Sequence, residues 1–382
     1  MNGRRPARRG VLYATAAGVA AVAVGAPNAR AAQGTGSAGP LWTASWATAQ
    51  TAPTASDRVA AAGLTDGVCT SFLRLSAGGR VRLRYANAFG TAPVLVGPVT
   101  ADGRPVTFAG RDQEWLAAGA TLTSDAVEGL RVADGARLSV RTRLPGPTGP
   151  LSFHRNTHAW HTVDGVRTRS VLLLSGVETT GARGPVLAVL GDSIAEGVGT
   201  PDDADMRWPD QLARRLGGSA VANLGISGNR LLRDDPRFGP SGQARFDRDV
   251  LGLPGLRTVL VHLGVNDLQH PPGQSEPAPV LAGYRQLALR ARGAGLRVVG
   301  ATITPFEGWT RWSPELDSVR RRINRAVLTG GIFDAVADFD AALRDPGRPS
   351  RVLPAYDSGD GLHPGPSGHK ALADAVDRRR LL

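Results

Sequence analysis

Cysteine and lysine are almost absent from this sequence: Cys69 is the only cysteine and Lys370 the only lysine among 382 residues. A lone cysteine cannot form a disulfide within the chain, and the lack of cysteine clusters excludes a structural zinc domain. No apolar run reaches the roughly 20 residues of a membrane-spanning helix, so we expect no stable membrane insertion. Hydrophobic residues make up 42% and charged residues 20%, which predicts a globular protein of about two domains.

The basic residues are mostly arginines spread along the chain. They lack the clustering and interleaved aromatics of a nucleic-acid-binding surface, so no nucleic-acid partner is expected. Residues 1–31 contain five arginines, no acidic residue, an apolar stretch at 11–25 and the small-residue pattern Ala29-Arg30-Ala31. This combination is typical of a secretory signal peptide. The pair Arg8-Arg9 allows the twin-arginine route as well as the Sec route, so we predict an extracellular protein exported by one of the two.

Residues 32–40 form a linker rich in glycine, serine and alanine, and residues 41–180 carry the pattern of short strands. In the segment 80–85 hydrophobic residues alternate strictly with arginines, and the segment 136–144 repeats this alternation. Turns rich in glycine, aspartate and proline separate the runs. Short alternating strands at this spacing predict an antiparallel β-sandwich, jelly-roll-like, for residues 41–180.

Residues 181–382 have a different pattern, in which short apolar strands alternate with helices. The strands are expected at 185–190, 219–223, 257–263 and 296–302, with helices near 207–216, 243–252, 278–294 and 313–328 and a last helix from Ser367 to the C-terminus. This alternation predicts a three-layer α/β/α domain with a parallel sheet covered on both faces. Ligands of such sheets bind beyond the carboxyl ends of the strands.

Residues with catalytic chemistry follow the first three strands. Ser193 comes directly after the first strand, where a serine can act as a nucleophile. A glycine-rich turn at 223–229 follows the second strand, and Asn266 offers a side-chain amide after the third. Near the C-terminus Asp360 precedes His363 by three residues, a spacing at which an acid can orient a general base. Each signal alone is weak, because such tripeptides are usually turns or helix caps.

In combination and in this order, the four blocks resemble the GDSL lipase/esterase family, also called SGNH hydrolases. The blocks are Gly191-Asp-Ser-Ile194, Asn223-Leu-Gly-Ile-Ser-Gly228-Asn229, Gly264-Val-Asn-Asp267 and Asp360-Gly-Leu-His363. The resemblance runs from Gly184 to the C-terminus and departs from the family name only at Ile194. No Gly-x-Ser-x-Gly elbow occurs, which argues against an α/β-hydrolase.

The resemblance implies a role for each residue. Ser193 would be the nucleophile, His363 the general base and Asp360 the residue that orients His363. The oxyanion hole would consist of the backbone N–H groups of Ser193 and Gly228 and the side-chain amide of Asn266. Gly225 is a rival for the glycine position. The implied reaction is two-step ester hydrolysis through an acyl-enzyme, without metal or other cofactor.

The N-terminal part also resembles a known type, the β-domain that precedes the hydrolase domain in some secreted actinobacterial members. The matching segments are Trp42-Thr-Ala-Ser-Trp46, the alternating run at 80–84 and Ala86-Asn-Ala-Phe-Gly90. A secreted serine esterase is the leading interpretation, and the substrate is a lipid, a small ester or an acetylated carbohydrate. Two alternatives stay open: a polysaccharide O-acetyl esterase and a catalytically silent binding protein on the same fold. The oligomeric state is not indicated.

Several other residues have two interpretations. Three aromatic residues follow the fourth strand at the catalytic end of the sheet, where they either line a substrate pocket or pack in the core: Phe306, Trp309 and Trp312. Three histidines lie close in sequence, but no carboxylate or cysteine joins them at metal-ligand spacing, so no metal site is predicted: His154, His158 and His161. Asp267 is interpreted as a helix cap or hydrogen-bond partner rather than a catalyst.

Overall fold

The computed structural model describes residues 41–381 together with Met1. The predicted signal peptide (1–31) and linker (32–40) lie outside these described residues, apart from Met1. Pro40–Leu382 form one compact unit. The boundary predicted between residues 180 and 181 therefore stays a prediction.

The N-terminal part of the described chain consists of antiparallel strands and one short helix. In chain order these are β1 (Thr43–Ala47), α1 (Arg58–Ala62), β2 (Thr65–Arg74), β3 (Gly79–Ala86), β4 (Val94–Val96), β5 (Val99–Ala101), β6 (Arg104–Val106), β7 (Glu114–Leu116), β8 (Thr121–Thr123), β9 (Arg131–Val132), β10 (Arg137–Pro147), β11 (Phe153–His154), β12 (His161–Val163), β13 (Val166–Thr168), β14 (Val171–Leu172) and β15 (Leu174–Thr179).

Two larger antiparallel sheets share a hydrophobic core. One has the order β1-β15-β3-β8, with β9 also paired to β3, and the other has the order β13-β12-β2-β10-β5-β6. Leu83 and Tyr85 of β3 are buried in the same cluster as Leu138 and Val140 of β10. The alternation seen in the sequence therefore identifies the inward faces of both strands correctly, and antiparallel sheets do precede the α/β part.

The C-terminal part is an α/β arrangement. Its elements are β16 (Val186–Gly191), α2 (Ser193–Glu196), α3 (Trp208–Leu216), β17 (Ala220–Gly225), α4 (Gly242–Phe246) followed by a π-helical turn (Asp247–Leu251), β18 (Leu256–His262), α5 (Val265–Gln269), α6 (Pro277–Gly293), β19 (Arg297–Ala301), α7 (Pro314–Thr329), β20 (Ala335–Ala337), α8 (Phe339–Leu343), β21 (Arg344–Asp345), β22 (Arg348–Val352), α9 (Pro366–Ala375) and a 3-10 turn (Arg378–Arg380).

The five strands β16 to β20 form one parallel sheet in the order β17-β16-β18-β19-β20. Hydrophobic clusters cover both faces of the sheet, which confirms the predicted layers. The last residue of β16, Gly191, is in register with Gly225 of β17 and His262 of β18. Because β16 lies between its two partners, the loops that leave these three strands emerge side by side.

The structure contains elements that were not expected, namely β20, α8, β21 and β22, and it ends the last helix earlier than expected. Strand β20 was not predicted, because a three-residue strand carries too short a hydrophobic pattern. The last helix was expected to reach the C-terminus, but α9 ends at Ala375 and Val376 has extended backbone. Asp377 then starts a 3-10 turn by accepting a hydrogen bond from the N–H of Arg379. No helix of the described residues is long and apolar enough to cross a membrane.

The N-terminal strands contact the α/β sheet directly. Ala44 and Ala47 of β1 are buried in the same hydrophobic cluster as Ala222 and Leu224 of β17. Ser76 adds a polar contact, since its hydroxyl accepts a hydrogen bond from the N–H of Val221 at 2.9 Å. The edge of the parallel sheet is thus covered by the N-terminal part of the same chain.

Candidate active site

Ser193 lies where strand β16 is followed by helix α2. Asp192 has extended backbone and caps the helix, accepting a hydrogen bond from the N–H of Ile194 at 3.0 Å. Burial raises the pKa of Asp192 to about 7, although that hydrogen bond favours the charged form. The Asp192 cap fixes the start of α2, and Ser193 is 6% exposed there.

His363 places its ring against the hydroxyl of Ser193. Its Nε2 lies 2.9 Å from Ser193 Oγ, and its Nδ1 lies 2.6 Å from Oδ2 of Asp360. Since a carboxylate only accepts, Nδ1 carries the proton and the lone pair of Nε2 faces the serine hydroxyl. The structure thus brings together the three residues predicted as a triad, with Nε2 able to accept the serine proton.

Asp360 is held in its charged form. Burial raises its pKa, but hydrogen bonds from the ring and the backbone N–H of His363 outweigh burial and lower the pKa to about 2. The backbone N–H groups of Leu362 and His363 donate to Oδ1 at 2.9 and 2.8 Å, which fixes the carboxylate. A fixed negative charge beside Nδ1 stabilises a positive charge on the imidazole.

Asn266 lies near the start of α5 and contacts the turn that carries Gly228. Its Nδ2 donates to the carbonyl oxygen of Asn229 at 3.1 Å, while its Oδ1 accepts from Nε2 of Gln269 at 2.9 Å. An amide nitrogen carries two hydrogens, so the second hydrogen of Nδ2 is available to another acceptor. Asn266 is 2% exposed, and both contacts hold its amide in one orientation.

Gly225 and Gly228 are glycines for different reasons. Gly228 has a φ of +75°, and a Cβ there would lie 2.3 Å from the ring of Phe238. Gly225 ends β17 against α2, where a Cβ would lie 2.3 Å from the backbone nitrogen of Glu196. Packing of strand against helix therefore accounts for Gly225, whereas Gly228 lies in the turn that Asn266 contacts.

Asp267 supports the same turn. Its two carboxylate oxygens accept hydrogen bonds from the backbone N–H groups of Leu231 and Leu232 at 2.7 and 2.9 Å. Burial raises the pKa of Asp267 to about 6 despite these bonds. Its interpretation as a hydrogen-bond partner is therefore confirmed.

Arg245 is a residue near the site that sequence analysis missed. Its fully buried guanidinium donates to the carbonyl oxygens of Gly191 and Leu224 at 2.9 and 2.8 Å and to Oδ1 of Asn229 at 3.0 Å. Asp249 balances the charge at 3.3 Å. One side chain thus ties the ends of β16 and β17 to the turn that contains Gly228. No local sequence signal distinguishes this arginine from the many others.

The three aromatic residues proposed for a pocket have different environments. Phe306 is fully buried in the hydrophobic core. Trp309 is half-buried, and its ring meets that of His363 edge-on with the centroids 5.7 Å apart. Trp312 is also half-buried and packs against the core. Of the three, Trp309 is the one in contact with the Ser193–His363 pair.

The rings of the three neighbouring histidines contact polar groups of the protein. His161 accepts from the N–H of Phe72 at 3.1 Å, and its other ring nitrogen lies 2.6 Å from the hydroxyl of Thr157. His154 lies between two carbonyl oxygens, and His158 is buried beside Asn156. Within residues 41–381, no group of three or more histidine, cysteine or acidic side chains is arranged to hold a metal ion.

Comparison with known proteins identifies the family of this region. Residues 189–371 match the GDSL-like Lipase/Acylhydrolase family. This span contains Ser193, Gly228, Asn266, Asp360 and His363. It is a GDSL-family acylhydrolase domain, as the four sequence blocks indicate. No curated protein matches the chain.

Several solved structures are similar to about half of the chain. The aryl esterase of M. smegmatis is 19% identical with a TM-score of 0.43, covering 52% of this chain and 100% of its own. A GDSL-like lipase from Bacteroides thetaiotaomicron is 18% identical with a TM-score of 0.40, covering 51% of this chain and 86% of its own.

Proposed function

We propose that this chain is a serine esterase that hydrolyses carboxylic esters through an acyl-enzyme on Ser193. The observation that carries the proposal is the continuous hydrogen-bonded series from Asp360 through His363 to the hydroxyl of Ser193, at 2.6 and 2.9 Å. The family match of residues 189–371 supports the same chemistry. A serine hydroxyl is a weak nucleophile until a base within hydrogen-bond reach can take its proton.

The reaction proceeds in two proton-balanced steps. Oγ of Ser193 bonds to the ester carbonyl carbon while Nε2 of His363 takes the hydroxyl proton and then gives it to the departing alcohol. Water next attacks the acyl-enzyme, loses a proton to Nε2, and the carboxylic acid leaves as the proton returns to Oγ. Asp360 stays charged throughout and stabilises the imidazolium that forms in each step.

The negative oxygen of each tetrahedral intermediate would be bound by three donors. These are the backbone N–H of Ser193, the backbone N–H of Gly228 and the second hydrogen of Asn266 Nδ2. Donors that are fixed before the reaction stabilise charge that appears only in the transition state. The contacts of Asn266 with Asn229 and Gln269 supply this fixation.

We also propose that the protein is secreted, which rests on the composition of residues 1–31 alone. The acyl group and the alcohol of the substrate are left general: lipid, small ester and acetylated carbohydrate all fit the proposed chemistry. Sequencing the N-terminus of protein recovered from the medium tests export, and replacement of Arg8-Arg9 by lysines separates the twin-arginine route from the Sec route.

Nitrophenyl esters of increasing acyl length, assayed beside acetylated xylan, test the function. We expect wild-type protein to hydrolyse at least one of them and Ser193→Ala to lose about 10⁴-fold or more. Ser313→Ala is the matched control, because Ser313 caps α7 through the N–H of Leu316 and its loss removes about 1 kcal/mol of stability without touching the site.

Each other outcome is informative. Several per cent of activity in Ser193→Ala would eliminate the proposed nucleophile. A marked preference for acetylated xylan over every nitrophenyl ester would favour the polysaccharide O-acetyl esterase. A folded wild-type protein that hydrolyses none of these substrates would favour the silent binding protein.

A further inference from the structure

We propose that Glu196, anchored by His154 of the N-terminal part, is a positioning residue that sets the distance between Ser193 and Gly228. The inference rests on the proposed function, because it concerns the two backbone donors of the oxyanion hole. His154 lies outside the matched span of residues 189–371. The proposal therefore gives the N-terminal strands a part in organising the catalytic centre.

Glu196 connects the two segments that carry these donors. It is the last residue of α2, the short helix that begins at Ser193. Its Oε2 accepts a hydrogen bond from the hydroxyl of Ser227, the residue directly before Gly228. A single side chain thus joins the nucleophile helix to the turn that presents the glycine N–H.

The close approach of these segments leaves little freedom. Glu196 is 3% exposed, and at Gly225 even a methyl group would collide with the backbone of Glu196. A buried carboxylate is costly unless it is paired, so its partners indicate why it is there. Burial raises the pKa of Glu196 to about 7, while hydrogen bonds from Ser227 and the nearby charges of Arg155 and Arg207 favour its charged form.

His154 lies beside the other carboxylate oxygen of Glu196. Its Nε2 lies 3.4 Å from Oε1 of Glu196, and the histidine is itself 3% exposed. Its Nδ1 lies 2.8 Å from the carbonyl oxygen of Ala49 and its Nε2 lies 3.0 Å from that of Asn156, and the single N–H of the neutral ring donates to one of these two. Burial lowers the pKa of His154 to about 4, so the ring is neutral at pH 7 and acts on Glu196 through packing. The buried ring occupies the space beside Oε1 and so limits the movement of the carboxylate.

The catalytic consequence follows from the geometry that oxyanion stabilisation needs. Donors act on the oxyanion from about 2.7–3.1 Å, and a displacement of about 1 Å can cost about 10²-fold in rate. Loss of Glu196 frees Ser227 and the Gly228 N–H to shift relative to Ser193. Since the oxyanion exists only in the transition state, we expect kcat to fall while KM stays nearly constant.

A double-mutant cycle in the full-length protein tests this role. We expect Glu196→Ala and Ser227→Ala each to lower kcat on one soluble nitrophenyl ester about 10- to 100-fold, with KM within about twofold. The double variant should be no slower than the slower single variant, because both remove the same link. Glu196→Gln should recover most of the loss, since its amide oxygen can still accept from Ser227.

Histidine variants test the anchor. His154→Ala should lower kcat about fivefold or more with little change in KM. His161→Ala is the matched control: it is a buried histidine of the same region whose ring contacts Phe72 and Thr157 rather than Glu196. We expect that control to lower the melting temperature comparably while kcat stays within about twofold.

Three results would overturn the inference: multiplicative losses in the double variant, an equal fall of kcat in His161→Ala, or a rise of KM in place of a fall of kcat. If Glu196→Ala does not fold, Ser227→Ala still decides, because it removes the same hydrogen bond from the other side. A kcat within about twofold of wild type in Ser227→Ala contradicts the proposed link. Failure here is distinct from failure of the proposed function, which Ser193→Ala tests separately.

Discussion

Replacement of Asn266 by alanine separates a catalytic amide from a structural one. In the folded protein its Nδ2 donates to the Asn229 carbonyl at 3.1 Å and its Oδ1 accepts from Gln269 at 2.9 Å. Both contacts contribute to stability. Only the second hydrogen of Nδ2, which neither contact uses, can serve the oxyanion. Stability and turnover should therefore respond to Asn266→Ala by amounts that can be worked out separately.

The stability loss follows from the two hydrogen bonds and their burial. Each bond contributes about 1 kcal/mol, and leaving buried partners unpaired raises the total to about 2–3 kcal/mol. With an unfolding entropy of about 2.1 cal/mol/K per residue, 1 kcal/mol shifts the melting temperature of a chain of this length by about 1.3 °C, so we expect a fall of about 3–4 °C. The loss of one oxyanion donor should lower kcat about 10²–10³-fold, equivalent to about 3–4 kcal/mol, with KM nearly unchanged.

A buried asparagine elsewhere in the chain provides the control. Asn324 donates to the carbonyl oxygen of Ile303 and accepts from the N–H of the same residue, both at 2.8 Å. Asn324→Ala should therefore destabilise the protein by a similar amount and leave kcat within about twofold. The comparison needs thermal melts of both variants and their kcat and KM on one soluble ester. The kinetics are measured at a temperature below the lower of the two melting temperatures.

The kinetic pattern decides between the two roles. Near-normal kcat in Asn266→Ala, or an equal loss in Asn324→Ala, would refute the oxyanion assignment and leave Asn266 as a structural residue. Asn266→Asp adds a further test, because a carboxylate beside the developing negative oxygen should be at least as slow as alanine.

Three further variants follow from the same contacts. Arg245→Met should lower the free energy of unfolding by about 3–5 kcal/mol in denaturant titrations, because two strand-end carbonyls and the Asn229 side chain lose their buried donor. A loss under about 1 kcal/mol would contradict the proposed structural role of Arg245. Gly228→Ala should lower kcat at least tenfold, since the Cβ meets Phe238 and φ is +75°; a normal kcat would exclude a role for this turn. Burial raises the pKa of Asp57, but hydrogen bonds from Arg155 and Thr54 outweigh burial and lower the pKa from 3.8 to about 2. The contribution of Asp57 to the free energy of unfolding is therefore complete above about pH 4 and is lost as the pH falls through 2. Asp57→Asn should thus be about 1 kcal/mol less stable than wild type at pH 6, because solvent screens this partly exposed ion pair, and the difference should shrink as the pH falls to 2. A gap independent of pH would refute the linkage.

The catalytic blocks could be predicted from sequence because each is local. A serine directly after an apolar strand, or an acid three residues before a histidine, is visible without knowledge of the fold. Likewise the alternation around Leu83 and Val140 identifies buried faces, since strand periodicity is a property of neighbouring residues. What the sequence does not contain is the sheet order, which places β16 between β17 and β18 and so brings Ser193, Gly228 and Asn266 to adjacent loops.

The supporting residues escaped prediction because their roles depend on distant segments. Glu196 follows Ser193 on a helix of only four residues, where a glutamate is expected to face solvent. It is buried instead because Gly225 and Ser227 lie against it on one side and His154 of β11 lies beside its carboxylate. The N-terminal strands are therefore more than a neighbour of the acylhydrolase domain: they exclude water from a carboxylate that is hydrogen-bonded to the turn beside the nucleophile. A contact of this kind can be derived only once both parts of the chain are seen together.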